Sequence, residues 1–222
     1  MWNARHQVRD GEVAVDAEAP ARIDTLEKLR VVYAGPRNAA KLKCLDRLDE
    51  FSRLFIAWSP FFVLASSNAE GRCDASPRGD QPGFVEVVDD KTLQFPDRPG
   101  NNRLDTMTNL LTSGGVGMLF FIPGFDESLR INGVASISHD AALRDRFAVN
   151  GKPALAVVRV AVDEVYFHCG KALKRSRLWD PSVQRDRRTF PTHGRILAEQ
   201  TKVVSVEESE AYVEQSYRER LY

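Results

Sequence analysis

Between Phe61 and His168 the chain is a succession of short, β-prone apolar runs separated by tight turns, and nothing else in the sequence limits its fold as much. Phe61–Ser66 is apolar and is closed by Asn68-Ala-Glu-Gly71, a good hairpin turn. Arg72–Ser76 pairs back until the stretch from Pro77 to Gly83 interrupts it. Phe84–Val88 and Thr92–Phe95 then form a second hairpin about Asp89-Asp90. Val116–Ile122 is continuously apolar, which predicts a buried strand, and Leu129–Ser138 alternates after a loop at Pro123-Gly124. A short helix near Ala141–Ala148 and an Asn150-Gly151 turn precede a long strand signal from Ala154 to His168. Many short strands with few helices predict a mainly β (α+β) chain, an antiparallel barrel with flanking helices. No Gly-x-Gly-x-x-Gly follows a strand, which excludes a Rossmann reading, and there is no internal repeat.

Helical patterns flank this region. Residues 1–20 are polar and irregular and read as an arm. Asp24-Thr25-Leu26-Glu27 is a capping pattern that opens a short helix within Ile23–Tyr33. Pro36 suits the first turn of a longer helix, in which Leu42, Leu45, Leu48, Phe51, Leu54, Phe55 and Trp58 form an apolar stripe expected in the core. Ser205–Tyr222 reads as an acidic, weakly amphipathic helix at a surface or subunit seam. These patterns divide the chain into residues 1–35, an arm with a short helix; 36–181, the barrel; and 182–222, an extension with a helix.

One strand in the barrel runs straight into a helix. Thr92–Phe95 leads through Pro96-Asp-Arg-Pro-Gly-Asn-Asn-Arg103 to Leu104, Met107 and Leu111, which fall at i, i+3 and i+7. Asn101 or Asn102 is the expected N-cap, with Arg103 in the first turn. A cation is disfavoured at a helix start, so an arginine there fits a site completed by an anion such as a phosphate. Otherwise Arg103 is a solvated surface residue.

Two further segments have the composition of a binding site. Alternation along β-structure places Asp74, Ser76 and Arg78 on one face, with Gly79 and Gly83 allowing close backbone approach, unless this is only a decorated strand end. His168-Cys-Gly-Lys-Ala-Leu-Lys-Arg-Ser-Arg-Leu-Trp179 mixes cations with an aromatic ring. It suits RNA, one face of an anionic aromatic cofactor, or simply solvent. His168 and Cys169 are adjacent on a strand and point to opposite faces, so they form no dyad. No protein nucleophile stands out, and the catalytic residues are left unassigned.

Composition narrows the setting. Hydrophobic residues make up 43% and charged residues 28%, as in ordinary globular chains. Basic and acidic residues number 31 each, so no global field recruits nucleic acid or an anionic membrane. No apolar run reaches the roughly 20 residues that span a bilayer, and Met1–His6 lacks the apolar core of a signal peptide. Cys44, Cys73 and Cys169 are odd in number and widely spaced, predicting free thiols, no metal site and a cytoplasmic setting.

Taken together, Leu64-Ala-Ser-Ser, Gly71-Arg-Cys-Asp-Ala-Ser-Pro-Arg-Gly-Asp80, Pro96-Asp-Arg-Pro-Gly-Asn-Asn-Arg-Leu-Asp105, Leu129-Arg-Ile-Asn-Gly-Val-Ala135 and Phe167–Pro181 resemble the pyridoxamine 5′-phosphate oxidase-like flavoproteins. The likeness is greatest to their bacterial FMN-dependent subgroup, and it spans roughly residues 40–181. The resemblance implies a split β-barrel of Greek-key type and a homodimer with FMN at each of two interface sites. It also implies an FMN-dependent oxidoreductase acting on a small molecule, with the flavin performing the transfer. Residue by residue, it implies that Arg103 holds the flavin phosphate, beside Asn101, Asn102 and Arg98. It places Ser76 and Arg78 along the isoalloxazine and ribityl chain. Lys171, Arg175 and Ser176 would approach the flavin from the partner chain, and Arg130 would lie near the dimer interface.

The substrate-phosphate arginine–histidine pair near the C-terminus of true pyridoxamine phosphate oxidases is not recognisable here, and Tyr217–Tyr222 also differs. Pyridoxamine phosphate is therefore not the expected substrate. The alternatives are a reductase using the deazaflavin F420, with the Lys171–Arg188 run lining a wider groove, and a non-catalytic flavin- or haem-binding module with His168 as haem ligand.

Overall fold

The computed structural model describes residues 22–33, 35 and 42–222. The described residues fall into two units, one before Leu42 and one from Leu42 to Tyr222. In the first, helix α1 (Leu26–Val32) begins at Thr25, whose side chain accepts a hydrogen bond from the Lys28 amide at 3.3 Å. The arm at residues 1–20 and the helix start expected at Pro36 lie outside the described residues.

The second unit is built on a seven-stranded antiparallel sheet: β1 (Phe61–Ser67), β2 (Cys73–Gly79), β3 (Glu86–Val87), β4 (Thr92–Asp97), β5 (Gly115–Phe121), β6 (Ser128–Ser138) and β7 (Ala156–His168). The strand order is β2-β1-β5-β6-β7-β4-β3. The sheet curls on itself. Phe62 on β1 and Phe95 on β4 are separated along the order by three strands, yet their rings meet edge to face at 5.0 Å. Both are fully buried, with Leu64, Met118, Phe120, Ile131 and Val160, in the single core that this curl encloses. The expected split barrel with flanking helices is the observed fold.

β5–β6–β7 form a meander, with the β1–β2 hairpin on one side and the β3–β4 hairpin on the other. Helix α2 (Glu50–Trp58) precedes β1, and between β4 and β5, which are separated in the sheet by β6 and β7, the chain passes through helix α3 (Asp105–Thr112). A bulge at Asn132/Gly133 bends β6. A Cβ on Gly133 would overlap the Ala161 carbonyl oxygen and lie 3.0 Å from its carbon. Gly133 is glycine because the neighbouring backbone fills the space of any side chain.

The structure corrects several sequence expectations. β2 runs through Pro77 instead of stopping there. It is an edge strand paired only with β1, so a residue without an N–H is tolerated. α2 starts at Glu50, capped by Asp49, whose carboxylate accepts from the Ser52 amide at 2.8 Å. Leu45 lies before this helix, in a bridge to Val165. Of the apolar stripe, Leu48 and Phe55 are buried, but Leu42, Phe51, Leu54 and Trp58 are exposed. Phe51, Leu54 and Trp58 fall at i, i+3 and i+7 of α2 and make one outward apolar face.

α3 also departs from expectation. Its N-cap is Leu104 in the left-handed conformation (φ 61°), with no side-chain cap, so Asn101, Asn102 and Arg103 all precede the helix. The buried face is Thr106, Met107, Asn109 and Leu110, while Leu104 and Leu111 are exposed.

Helix α4 (Ala141–Arg146) connects β6 to β7, and after β7 come α5 (Lys171–Ser176), α6 (His193–Thr201) and α7 (Val206–Glu219). α6 and α7 pack as a hairpin whose contact leaves no room at Gly194, where a Cβ would lie 2.6 Å from the Glu210 Cα. α7 opens with a capping box formed by Ser205 and Glu208. α6 was not evident in the sequence, although Thr192 caps it at 3.1 Å from the Arg195 amide. No helix among the described residues is long and apolar enough to cross a membrane. All three cysteines, Cys44, Cys73 and Cys169, are exposed.

Candidate functional site

The curled sheet leaves a gap between its outermost strand, β2, and the end of β4. Alternation along β2 turns Asp74, Ser76 and Arg78 inward, half-buried, while Cys73, Ala75 and Pro77 face solvent. The turn after β4 and the start of α3 supply the opposite wall. A cleft of about 260 Å³ results, and Ser76, Arg78, Arg98, Asn101, Asn102 and Arg103 all line it. Six of the ten residues singled out in the sequence therefore meet in one place. The other four do not line it. Arg130 lies on β6, paired with Glu164 at 2.6 Å and stacked 4.2 Å from the Tyr166 ring centroid. Lys171, Arg175 and Ser176 are on exposed α5.

Three arginine–carboxylate pairs set the electrostatics of the cleft. Arg78 donates to Asp97 at 2.8 Å, Arg98 pairs with Asp80 at 2.9 Å, and Arg103 with Asp105 at 2.9 Å. The first two are largely shielded from water, whereas the Arg103 side chain is 72% exposed. Burial holds the Asp97 carboxyl above its ordinary range and outweighs the opposing pull of Arg78. Arg78 also carries a buried Nε–H with no hydrogen-bond partner, an available donor within an otherwise satisfied site.

A hydroxyl relay lines the floor. Thr106 donates its only hydroxyl proton to Asp74 Oδ2 at 2.5 Å. The Ser76–Thr106 contact at 3.1 Å therefore has Ser76 as donor. Ser76 Oγ is left with lone pairs that can accept from a ligand hydroxyl or N–H. Nothing in the sequence marked Thr106 as a site residue: its role depends on α3 bringing it against β2.

The loop's backbone belongs to the site as well. Asn102 and Leu104 both take positive φ (57° and 61°), an uncommon conformation for residues with a Cβ. Asn101 Oδ1 accepts from the Arg103 amide at 3.0 Å and fixes the turn. An anion here would meet the Arg103 guanidinium, with backbone amides of the α3 start nearby. Binding would require Arg103 to exchange Asp105 for the anion. Because that pair is exposed, the exchange is the easiest of the three.

A family model described as pyridoxamine 5′-phosphate oxidase matches residues 48–169, which is more than half of the chain. The chain belongs to the pyridoxamine 5′-phosphate oxidase family. The matched residues include the sheet and the whole cleft, and they exclude α5 to α7. Among solved structures, HupZ of Group A Streptococcus is 17% identical, over 53% of this chain and 91% of that one, with a TM-score of 0.44. General Stress Protein 26 of Bacillus anthracis is 16% identical, over 51% and 88%, at 0.40. An F420 reductase is 17% identical, over 55% and 98%, at 0.40. No curated protein matches the chain.

The basic run after β7 is less free than its composition suggests. Lys174 pairs with Asp126, Arg177 with Asp180, and Arg188 with Asp186. His168 lies at the end of β7 with its ring 4.9 Å from that of Tyr166, and burial together with the nearby Arg130 lowers its proton affinity. Among the described residues no three His, Cys, Asp or Glu side chains gather as a metal site.

Proposed function

We propose that the chain is an FMN-dependent oxidoreductase and that the cleft at the barrel split holds the flavin phosphate and ribityl chain. The observation that carries this reading is the convergence of Ser76, Arg78, Arg98, Asn101, Asn102 and Arg103 on one cleft, with the Arg78 Nε–H unsatisfied beside them. Arg103 and the turn that Asn101 fixes would take the phosphate. Ser76, held as a donor to Thr106, would accept from a ribityl hydroxyl. Arg78, anchored on Asp97, would keep its orientation beside the ligand. When bound, a flavin supplies the hydride and electron transfer itself; the residues here bind it, orient it and shield it from water.

FMN is favoured over F420 because Lys174, Arg177 and Arg188, which would line a wider basic groove, do not line the cleft. A haem reading would need His168, which does not line the cleft. A homodimer accounts for the outward face of Phe51, Leu54 and Trp58, extended by exposed Phe125 at 6.3 Å from the Trp58 ring. It also gives Lys171, Arg175, Ser176 and Arg130 a place, because each chain could then complete the other's site.

The test is the visible spectrum and flavin content of the purified protein and of Arg103→Ala and Arg78→Met. Flavin bands in the parent, with content lowered about tenfold or more in either variant, are the expected result. A parent that neither retains nor rebinds FMN at micromolar concentration would sink the proposal.

A further inference from the structure

The α6–α7 hairpin lies beyond the family match, and it walls a second, larger cavity of about 850 Å³. This volume is in the range of organic-ligand sites. The cavity shares Pro77, Arg78, Arg98, Asn101, Asn102 and Leu155 with the phosphate cleft, so the two are contiguous. Its other wall includes Tyr212, Tyr217 and Arg220 of the α7 segment, together with Val213 and Leu197.

The polar groups of this wall divide into satisfied and available. Asp80, the side-chain carboxylate in the lining, is occupied twice: Arg98 holds Oδ2, and the Tyr222 hydroxyl donates to Oδ1 at 2.9 Å, while the Tyr222 main-chain oxygen accepts from Lys152 at 3.1 Å. Arg98 is further tied to the Phe147 carbonyl at 2.7 Å, and Arg78 is held by Asp97. By contrast, Arg220 has no carboxylate partner among the described residues. Its guanidinium lies 4.9 Å from the Tyr212 ring centroid. The hydroxyls of Tyr212, Tyr217 and Ser216 have no hydrogen-bond partner among the described residues either. Among the lining side chains the uncompensated charge is thus positive, and the free polar atoms include several donors beside flat rings and aliphatic side chains.

We infer that this cavity is the substrate pocket and that it takes a planar aromatic carboxylate. The ring would pack among Tyr212, Val213 and Leu197, and the carboxylate would meet Arg220 with a tyrosine hydroxyl. The pocket's role as substrate site, though not its ligand class, rests on the flavin reading of the adjoining cleft. Specificity would then be set by the hairpin, while the barrel provides the cofactor cleft.

The experiment is calorimetric titration of the purified full chain with 1-naphthoate and with the neutral 1-naphthalenemethanol, on the parent, Arg220→Gln and Tyr212→Leu. Both positions are exposed, so folding is preserved, and flavin content is measured on each sample. The expected result is binding of naphthoate, about tenfold or more weaker for the alcohol and for Arg220→Gln, with flavin content unchanged. Tyr212→Leu is expected to weaken both ligands. Equal affinity for acid and alcohol, or an unchanged Arg220→Gln, would overturn the anion assignment. Absence of naphthoate binding to a flavin-loaded protein would overturn the inference and leave the flavin reading standing. Charge-selective binding to a protein unable to take up flavin would support the ligand class and remove the flavin reading.

Discussion

Arg78 and Asp97 meet at 2.8 Å across the split of the barrel, joining the outermost strand β2 to β4, from which it is separated along the sheet by β1, β5, β6 and β7. The two strands share no backbone ladder, so this pair, with the Ser76–Thr106–Asp74 relay beside it, bridges the gap where a ladder would have closed the barrel. Because the pair is mostly removed from water, losing one partner would strand the other's charge.

The pH dependence of stability is expected to carry the signature of Asp97. Its proton affinity is raised by folding, chiefly by burial, so the folded chain binds more protons than the unfolded one above the ordinary value of 3.8. Its contribution therefore falls as pH rises through the window between that value and the raised folded one. Asp97→Asn cannot titrate. In urea melts at several pH values between about 4 and 7, the stability of the parent relative to Asp97→Asn should decline with rising pH. A difference that is flat, or that grows with pH, would contradict the assignment.

Gly133→Ala should be among the most damaging single-methyl additions in the sheet. The new Cβ would run into the Ala161 carbonyl oxygen, which is backbone and cannot rotate away. Relief requires shifting β6 against β7 at the bulge, and a loss of roughly 2–4 kcal/mol is expected. Thermal and urea melts measure it. A Tm within a degree or two of the parent would show that the bulge is more compliant than its geometry indicates.

The outward face of α2 should govern self-association. Trp58→Glu places a charge in the exposed apolar patch without touching the buried face of Ser52, Phe55 and Ile56. The expected outcome is a monomer by light scattering at concentrations where the parent is a dimer, with an unchanged circular dichroism spectrum. A parent that is monomeric at high concentration, or a variant as dimeric as the parent, would place the interface elsewhere or remove it.

The strands were legible because their signals are local. β1 and β5 announce themselves by continuous apolar runs, β6 by alternation, and the hairpins by turns such as Asn68–Gly71, whose geometry depends on neighbouring residues. The capping of α1 by Thr25 and of α7 by Ser205 and Glu208 is likewise local chemistry. Pro77 misled because proline stops a strand only when its missing N–H is needed, and that depends on whether the strand is an edge. Leu104 misled because helical spacing does not reveal that the residue sits in a left-handed cap with its side chain in solvent.

What the sequence determined by itself was the set of strands and turns, the alternation along β2, and, through its ordered motifs, the family and six residues of the cleft. What only the tertiary structure decided was which distant elements close on one another. It brought Thr106 onto Ser76 and Asp97 onto Arg78, left Phe51 and Trp58 outward, and laid the α6–α7 hairpin beside Arg98. The physical reason is range. Propensity, capping and alternation act over a few residues, whereas pairing across the split depends on how far the whole sheet curls before its edges meet.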